Sequence, residues 1–105
     1  MIRHMVLFNL SAGIDDAERE ALFSRIRALG SLPAVRRIET AKLLDPREPA
    51  YRDHMSSDFE YALLADFDDE DALYAYQKAP EHVVVGQEIR KRVSVIKVVD
   101  FVTPD

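Results

Sequence analysis

Cysteine and tryptophan are absent from this 105-residue chain, which holds only three glycines and three histidines. Without cysteine there can be no disulfide framework, no thiolate nucleophile and no cysteine-based zinc site. The three histidines form no close pair in the sequence, which also argues against a histidine-based zinc site. We therefore predict no metal site, and we expect the protein in the reducing environment of the cytoplasm.

The chain also lacks long apolar runs and an excess of positive charge. Only residues 5–10 lie between the charged N-terminal residues and a predicted turn, which is too short for the core of a signal peptide. The formal net charge of −5 argues against a nucleic-acid partner, because phosphate-binding proteins present a basic surface. With 48% hydrophobic and 31% charged residues, the sequence predicts one folded domain over residues 1–105 and no membrane partner.

Hydrophobic periodicity divides the first half of the chain into a strand, a helix and a second strand. We predict these elements over residues 2–10, 15–30 and 34–44. In the third of them Val35 and Ile38 break the alternation of apolar and polar residues, which is typical of an edge strand with a bulge. Residues 45–58 contain two prolines and no periodicity, and they predict a long loop that is a lid, an interface arm or a mobile segment.

The second half of the chain begins and ends with a predicted strand. These strands cover residues 59–67 and 94–102. Between them, Asp68 or Asp69 caps a helix with Tyr76 on its buried side, and Pro80 ends that helix and starts another. This order predicts an α+β, ferredoxin-like split βαβ fold, in which helices cover one face of a four-stranded antiparallel sheet.

Three of the four predicted strands carry apolar residues on both faces. We expect Leu7, Leu64 and Val98 on the face that the helices leave uncovered. An apolar sheet face of this kind is typical of an interface, so the pattern predicts a homodimer in which two sheets pack face to face.

The candidate site lies around Pro80. On one continuous helix, Tyr76 and His82 would point about 120° apart, whereas a change of helix axis at Pro80 allows both rings to face one cavity. An imidazole with an ordinary pKa of ~6.5 can exchange protons near neutrality, so we predict His82 as a base. Tyr76 would donate a hydrogen bond to a developing enolate oxygen. The alternatives are a solvated histidine at a helix start and a tyrosine of the core.

Three other residues are weaker candidates. His4 shares a strand face with apolar neighbours, and it is either a core histidine or part of a cavity wall. Tyr61 lies on the helix-covered face of its predicted strand, with the same two alternatives. His54 falls in the predicted loop and is either solvated or carried by a lid into the cavity. We predict His4 and Tyr61 as ligand-binding residues.

Several short motifs in this order resemble those of the stress-responsive dimeric α/β-barrel family, called Dabb. The motifs are Arg3-His4-Met5-Val6-Leu7-Phe8, Leu32-Pro33-Ala34-Val35, residues 67–76, Ala79-Pro80-Glu81-His82-Val83 and Val98-Val99-Asp100-Phe101. The resemblance spans nearly the whole chain. It implies a ferredoxin-like homodimer whose two sheets form a barrel.

The resemblance also implies roles for particular residues. In a polyketide cyclase of the family, a histidine of a His-Pro-x-His motif is the base and a tyrosine of the preceding helix assists it. His82 and Tyr76 match these two residues, and His4 matches a further histidine of the pocket. The departures from the cyclase pattern are Ala79 for the first histidine of the motif, Tyr61 for a strand histidine and Arg25 for a helix tyrosine.

Three functions are consistent with these residues. The first is cofactor-free lyase or cyclase chemistry on a carbonyl compound, with His82 as the base. The second is binding of a small apolar or aromatic molecule without turnover, and the third is a purely structural homodimer. An apolar cavity with a few polar groups serves either of the first two, so the sequence leaves them open.

Overall fold

The computed structural model describes residues 1–45, 47–54 and 58–104. Within these ranges the chain forms four strands, which are β1 (Ile2–Leu10), β2 (Arg37–Lys42), β3 (Tyr61–Phe67) and β4 (Val93–Val102). The α-helices are α1 (Asp16–Ala28), α2 (Pro49–Arg52), α3 (Glu70–Lys78) and α4 (Pro80–Arg92). The strands form one antiparallel sheet in the order β2-β3-β1-β4, which confirms the predicted ferredoxin-like α+β fold.

The ends of α1 follow from the residues that flank it. The Asp15 carboxylate caps the helix and accepts a hydrogen bond of 2.8 Å from the Glu18 backbone N–H. The helix passes into one turn of 3-10 helix, Leu29–Ser31, within which a Cβ atom added to Gly30 would lie 2.9 Å from Ile38 Cγ2. The glycine therefore allows the end of the helix to approach β2 closely.

Strand β2 lies at the edge of the sheet, as predicted, but it contains no bulge. Its residues pair with β3 without interruption from Arg37 opposite Asp66 to Lys42 opposite Tyr61. The weak alternation arises because most residues of this edge strand are only half-buried on either face. The shift of register in the described sheet lies instead between β1 and β4, at Asn9 and Leu10.

The predicted loop over residues 45–58 contains the short helix α2, which the sequence pattern does not indicate. The Glu48 carboxylate caps α2 by accepting a hydrogen bond from the Ala50 backbone N–H. Residues 46 and 55–57 of the predicted loop lie outside the described residues. The role of the segment as lid or interface arm stays a prediction.

Helices α1, α3 and α4 cover one face of the sheet and enclose the core. In β1, alternate residues from Ile2 to Phe8 point to this face and are buried. The largest fully buried side chains are Phe8, Ile26, Phe67 and Tyr76. Among the described residues, no helix is long and apolar enough to cross a membrane.

The other face of the sheet carries apolar side chains, and no helix of the described residues covers it. Met5 of β1 lies between Leu64 of β3 and Val99 of β4, and Phe101 beside this row is 45% exposed. The smallest Cα dimension of the molecule is 17 Å, which accommodates one sheet and one helix layer. We call this surface the open face.

The prediction that Val98 lies on the open face is wrong. Val98 pairs with Val6, and paired residues of neighbouring strands point to the same side of a sheet, which here is the helix-covered side. Lys97 instead pairs with Leu7 on the open face, together with Val95, Val99 and Phe101 of the same strand. The apolar residues of β4 are nearly continuous, so its sequence does not distinguish the two faces.

Candidate functional site

The junction of α3 and α4 forms as predicted. Ala79 ends one helix and begins the next in an extended conformation (φ −60°, ψ 135°), which is the region favoured by a residue before proline. Pro80 occupies the first turn of α4, where no hydrogen-bond donor is lost. The resulting change of direction brings the rings of Tyr76 and His82 to a centroid separation of 4.5 Å.

A cavity of about 230 Å³ lies between α4 and the helix-covered face of the sheet. Its polar lining consists of His4, Tyr76, Gln77, His82 and Arg90. The rest of its wall is apolar or glycine, comprising Val6, Leu29, Leu63, Val85, Gly86, Ile89, Ile96 and Val98. We call it the histidine cavity. The structure thus brings together three of the four predicted site residues.

His82 is held as a neutral base. Its Nδ1–H donates a hydrogen bond of 3.1 Å to the Gln77 carbonyl oxygen, which leaves Nε2 of the neutral ring without a proton. Burial lowers the pKa of His82 below its ordinary value, and the nearby His4 and Arg90 lower it further, against the effect of the Gln77 bond. At neutral pH the ring can therefore accept a proton.

Tyr76 is held as a proton donor. Its side chain is 2% exposed and packs against Phe67 at a ring separation of 4.9 Å, and burial raises the pKa of Tyr76 to about 12. Within the described part of the chain the Tyr76 hydroxyl makes no hydrogen bond, and no sealed side-chain polar atom lacks a partner. Since Tyr76 lines the histidine cavity, its hydroxyl is available to an oxygen atom of a ligand there.

His4 belongs both to the core and to the cavity wall. It is 5% exposed, and its ring meets the edges of Phe67 and Tyr76 at centroid distances of 6.3 and 6.2 Å. Its Nδ1 is bonded to Oδ1 of Asp100, the residue opposite it on β4. Because a carboxylate only accepts, Nδ1 carries the hydrogen, and Asp100 holds the ring in one orientation.

The sequence pattern does not single out three residues of this region. Gln77 and Arg90 line the histidine cavity, and Asp100 holds the ring of His4. Gln77 supplies the carbonyl that orients His82. Arg90 lies two helical turns beyond His82 on α4, and continuing the His82 stripe in steps of four residues would have found it. Asp100 is identified only by the strand register.

Tyr61 lies in a different cavity. This second cavity, of about 310 Å³, is lined by Tyr61 with Phe23, Thr40, Ala41 and the charged residues Arg19, Glu20, Arg27 and Lys42. Tyr61 pairs with Phe8, whereas Ala65 pairs with His4. Four residues along a strand span about 13 Å, so Tyr61 is remote from the histidine cavity although it shares the same sheet face. We call this second one the Tyr61 cavity.

His54 is exposed just after α2 and lines neither cavity. Over residues 1–45, 47–54 and 58–104, no group of three or more histidine and acidic side chains is arranged to hold a metal ion. The entry of His54 into a cavity on a lid stays a prediction.

A comparison with known protein families shows to which family this chain belongs. The sequence profile of the stress-responsive A/B barrel domain, Dabb, matches residues 2–103. The chain belongs to the Dabb family. No curated protein matches this Dabb chain in sequence.

Solved structures similar to this Dabb chain include enzymes. Hydroxynitrile lyase from Passiflora edulis superposes with a TM-score of 0.83 at 14% identity, over 99% of this chain and 94% of that one. SnoaB, a cofactor-independent oxygenase from Streptomyces nogalater, gives a TM-score of 0.73 at 18% identity, over 99% and 93%. At such identities the likeness establishes the shared fold.

A further similar structure is a dimeric ferredoxin-like protein from Thermobifida fusca. It matches with a TM-score of 0.78 and 22% identity, over 97% of the Dabb chain and 90% of its own. This match again establishes the fold, and that protein's dimeric state is its own property.

Proposed function

We propose that this Dabb domain binds a small apolar or aromatic carbonyl compound in the histidine cavity, and that His82 is the base of a cofactor-free lyase or cyclase reaction in the cytoplasm. One observation carries the proposal. His82 and Tyr76 stand 4.5 Å apart in a mostly apolar cavity, and burial favours the proton-free imidazole in one and the protonated phenol in the other. A base beside a hydroxyl donor is the arrangement that proton transfer next to a carbonyl requires.

His82 and Tyr76 have different roles in the proposed reaction. His82 Nε2 takes a proton from the carbon next to the carbonyl, and the electron pair of that C–H bond moves into an enolate whose oxygen accepts a hydrogen bond from Tyr76. In a cyclase the enolate carbon then attacks a second carbonyl of the same molecule, the π pair of that carbonyl moves to its oxygen, and the oxygen takes the proton held by His82. In a lyase, the same base takes a proton from a hydroxyl, and the O–H electron pair forms a carbonyl as the neighbouring carbon–carbon bond breaks. The departing carbon keeps the electron pair of that bond and takes the proton back from His82. The low polarity of the wall strengthens the hydrogen bond to the oxyanion.

The similar enzymes support this proposal without extending their substrates to this chain. A hydroxynitrile lyase and a cofactor-independent oxygenase both use the same fold. The fold is thus compatible with enzymes, of which the oxygenase is cofactor-independent.

Exchange of the α-proton of simple ketones tests the base directly. Acetophenone and a β-ketobutyryl thioester are incubated in D₂O, and loss of the α-proton signal is followed by ¹H NMR. We expect wild type to accelerate exchange, His82→Gln to lose the acceleration, and the matched variant His54→Gln to retain it, since His54 lies outside the cavity. Circular dichroism checks the fold of each variant. Equal exchange by His82→Gln and wild type would exclude His82 as the base.

Binding without turnover is the alternative function, and the apolar wall of the cavity favours it. Thermal-shift measurements with the same two ketones distinguish it, because a ligand that binds the native state raises the melting temperature. A shift in wild type without any α-proton exchange favours a binding protein over an enzyme.

We also propose that the open face packs against a second copy of the chain. Its apolar row of Leu64, Met5 and Val99, with the exposed Phe101, supports this assembly, as does the dimeric state of the similar Thermobifida fusca protein. Light scattering at micromolar concentration should give the mass of a dimer for wild type and of a monomer for Val99→Glu. A monomeric, folded wild type would contradict the assembly and the structural-dimer function alike.

A further inference from the structure

Arg90 lies at the rim of the histidine cavity, and no described residue pairs with its positive charge. The residue is exposed and lines the cavity, and within the described residues its guanidinium has no hydrogen bond and no ion pair. Two acidic side chains, Glu88 close to it on α4 and Asp100 beside the cavity residue His4, have other partners. Glu88 is paired with Arg92 at 2.6 Å, and Asp100 is bonded to His4.

The position of Arg90 on α4 directs it toward the base. His82, Gly86 and Arg90 follow one another at intervals of four residues and therefore share one stripe of the helix, and all three line the cavity. Helical side chains lean toward the N-terminus, so Arg90 reaches back over the turn of Gly86. A Cβ atom at Gly86 would lie 3.7 Å from Arg90 Nη1, which locates the guanidinium directly above this turn.

Gly86, which lies between His82 and Arg90 on this stripe, places no side chain on the cavity wall, and a Cβ atom there would meet only Arg90 Nη1 within 4 Å. The positive charge of Arg90 contributes, after burial and His4, to the lowered pKa of His82, as expected for a cation at the same cavity. A ligand whose body lies in the cavity against His82 and Tyr76 would therefore have its outer end at Arg90. An anionic end would meet an unpaired guanidinium, which binds a carboxylate through two parallel N–H···O bonds.

We infer that Arg90 is a specificity-determining residue of the cavity, and that the ligand is a small apolar or aromatic carbonyl compound carrying a carboxylate. The inference rests on the proposed function and adds the charge of the ligand to it. The cavity volume of about 230 Å³ limits the apolar body, since at about 30 Å³ per water it holds roughly eight waters, the size of one ring with a short side chain.

A matched pair of ligands tests the charge. 3-Phenylpropionate and 3-phenylpropionamide have the same shape and differ by one negative charge. Their dissociation constants are measured by NMR titration on wild type, Arg90→Gln, Arg90→Lys and Arg47→Gln, the last of which removes the same charge from an exposed residue that lines no described cavity. Shifts of the His82 ring signals show whether the ligand occupies the cavity.

We expect wild type and Arg47→Gln to bind the carboxylate about tenfold more tightly than the amide, in keeping with a charged hydrogen bond. Arg90→Gln should bind the two ligands equally, with its affinity for the amide unchanged, and Arg90→Lys should keep part of the preference. Equal binding of acid and amide by wild type, or a preference that survives in Arg90→Gln, would overturn the inference and leave the proposed function standing. If neither ligand shifts the His82 signals, the proposed ligand cavity fails together with the inference.

Discussion

The histidine cavity and the Tyr61 cavity, both on the helix-covered side of the sheet, differ in chemistry more than in size. The histidine cavity is the smaller, at about 230 Å³ against about 310 Å³, and its polar groups converge from an apolar wall. In the Tyr61 cavity charged side chains predominate, and a hydrogen bond with Tyr61 raises the pKa of Arg19. The Tyr76 hydroxyl, in contrast, is available to a ligand. Volume alone therefore does not favour either cavity as the proposed site, whereas burial of proton-exchanging groups favours the histidine cavity.

The sharpest test of this comparison removes one proton-exchanging group from each cavity. His82→Gln should lower the rate of α-proton exchange about 10²- to 10⁴-fold, the usual contribution of a general base. Tyr61→Phe should leave the rate within about twofold, because Tyr61 faces the other cavity. Both rates are measured by NMR on folded protein. A comparable loss in Tyr61→Phe would show that the two cavities act as one site.

Tyr76→Phe separates the hydroxyl from the ring that carries it. Loss of one donor to an oxyanion should lower the rate of exchange about 10²-fold. The melting temperature should stay near that of wild type, because the ring packing remains and the hydroxyl makes no hydrogen bond within the described residues. An unchanged rate would show that Tyr76 is only a core residue. Its hydroxyl would then not distinguish the histidine cavity from the Tyr61 cavity.

The pH profile tests the protonation of His82. A base must be proton-free, so the rate should be constant at neutral pH and fall about tenfold per pH unit below the pKa of His82. Burial lowers this pKa, so the fall should begin below the ordinary value of ~6.5. Arg90→Gln removes a charge that lowers the same pKa, and its profile should shift to higher pH. A fall centred above pH 6.5 in wild type would contradict the assigned environment.

The lowered pKa of His82 also predicts how the free energy of unfolding depends on pH. The unfolded chain binds a proton at His82 more readily than the native chain does, so the free energy of unfolding should decline as the pH falls below ~6.5. Urea unfolding of wild type and His82→Gln across this range measures the difference. An identical pH dependence of the two proteins would show that His82 contributes nothing to it.

The smallest expected effect concerns the two helix-associated glycines. Gly86→Ala should raise the free energy of unfolding by about 0.5–1 kcal/mol, because glycine is unfavourable inside a helix and the new Cβ meets only Arg90 Nη1 at an ordinary 3.7 Å. Gly30→Ala should instead lower it by about 1–3 kcal/mol, since its Cβ would meet Ile38 at 2.9 Å. Urea denaturation measures both. A destabilised Gly86→Ala would indicate that the new Cβ atom is crowded by Arg90 or another neighbour on the cavity side of α4.

Local signals in the sequence predicted much of the fold and part of the site. The helix cap predicted at Asp68 or Asp69, the strand β3 and the helix break at Pro80 each depend on a few neighbouring residues. The structure contains all three, with Asp69 as the cap. The Pro80 break was sufficient to predict that Tyr76 and His82 lie together. Arg90 was within reach of the same reasoning, because it continues the His82 stripe of α4.

Contacts between distant strands could not be predicted in this way. The placement of Val98 on the open face was wrong, and Tyr61 was assigned to the same wall as His4, because both depend on how far one strand slides along another. A shift of one residue reverses the face of every side chain in a strand, and the nearly continuous apolar pattern of β4 does not specify the shift.

What the sequence by itself determined about this protein is local, namely the order of its helices and strands and the break that brings a tyrosine beside a histidine. Such features follow from backbone geometry and from hydrogen bonds within a few residues. Only the tertiary structure decided that Asp100 holds His4, that Arg90 lies open at the rim and that Tyr61 belongs to another cavity. These relations join residues from distant parts of the chain, and the register and packing of the whole sheet establish them.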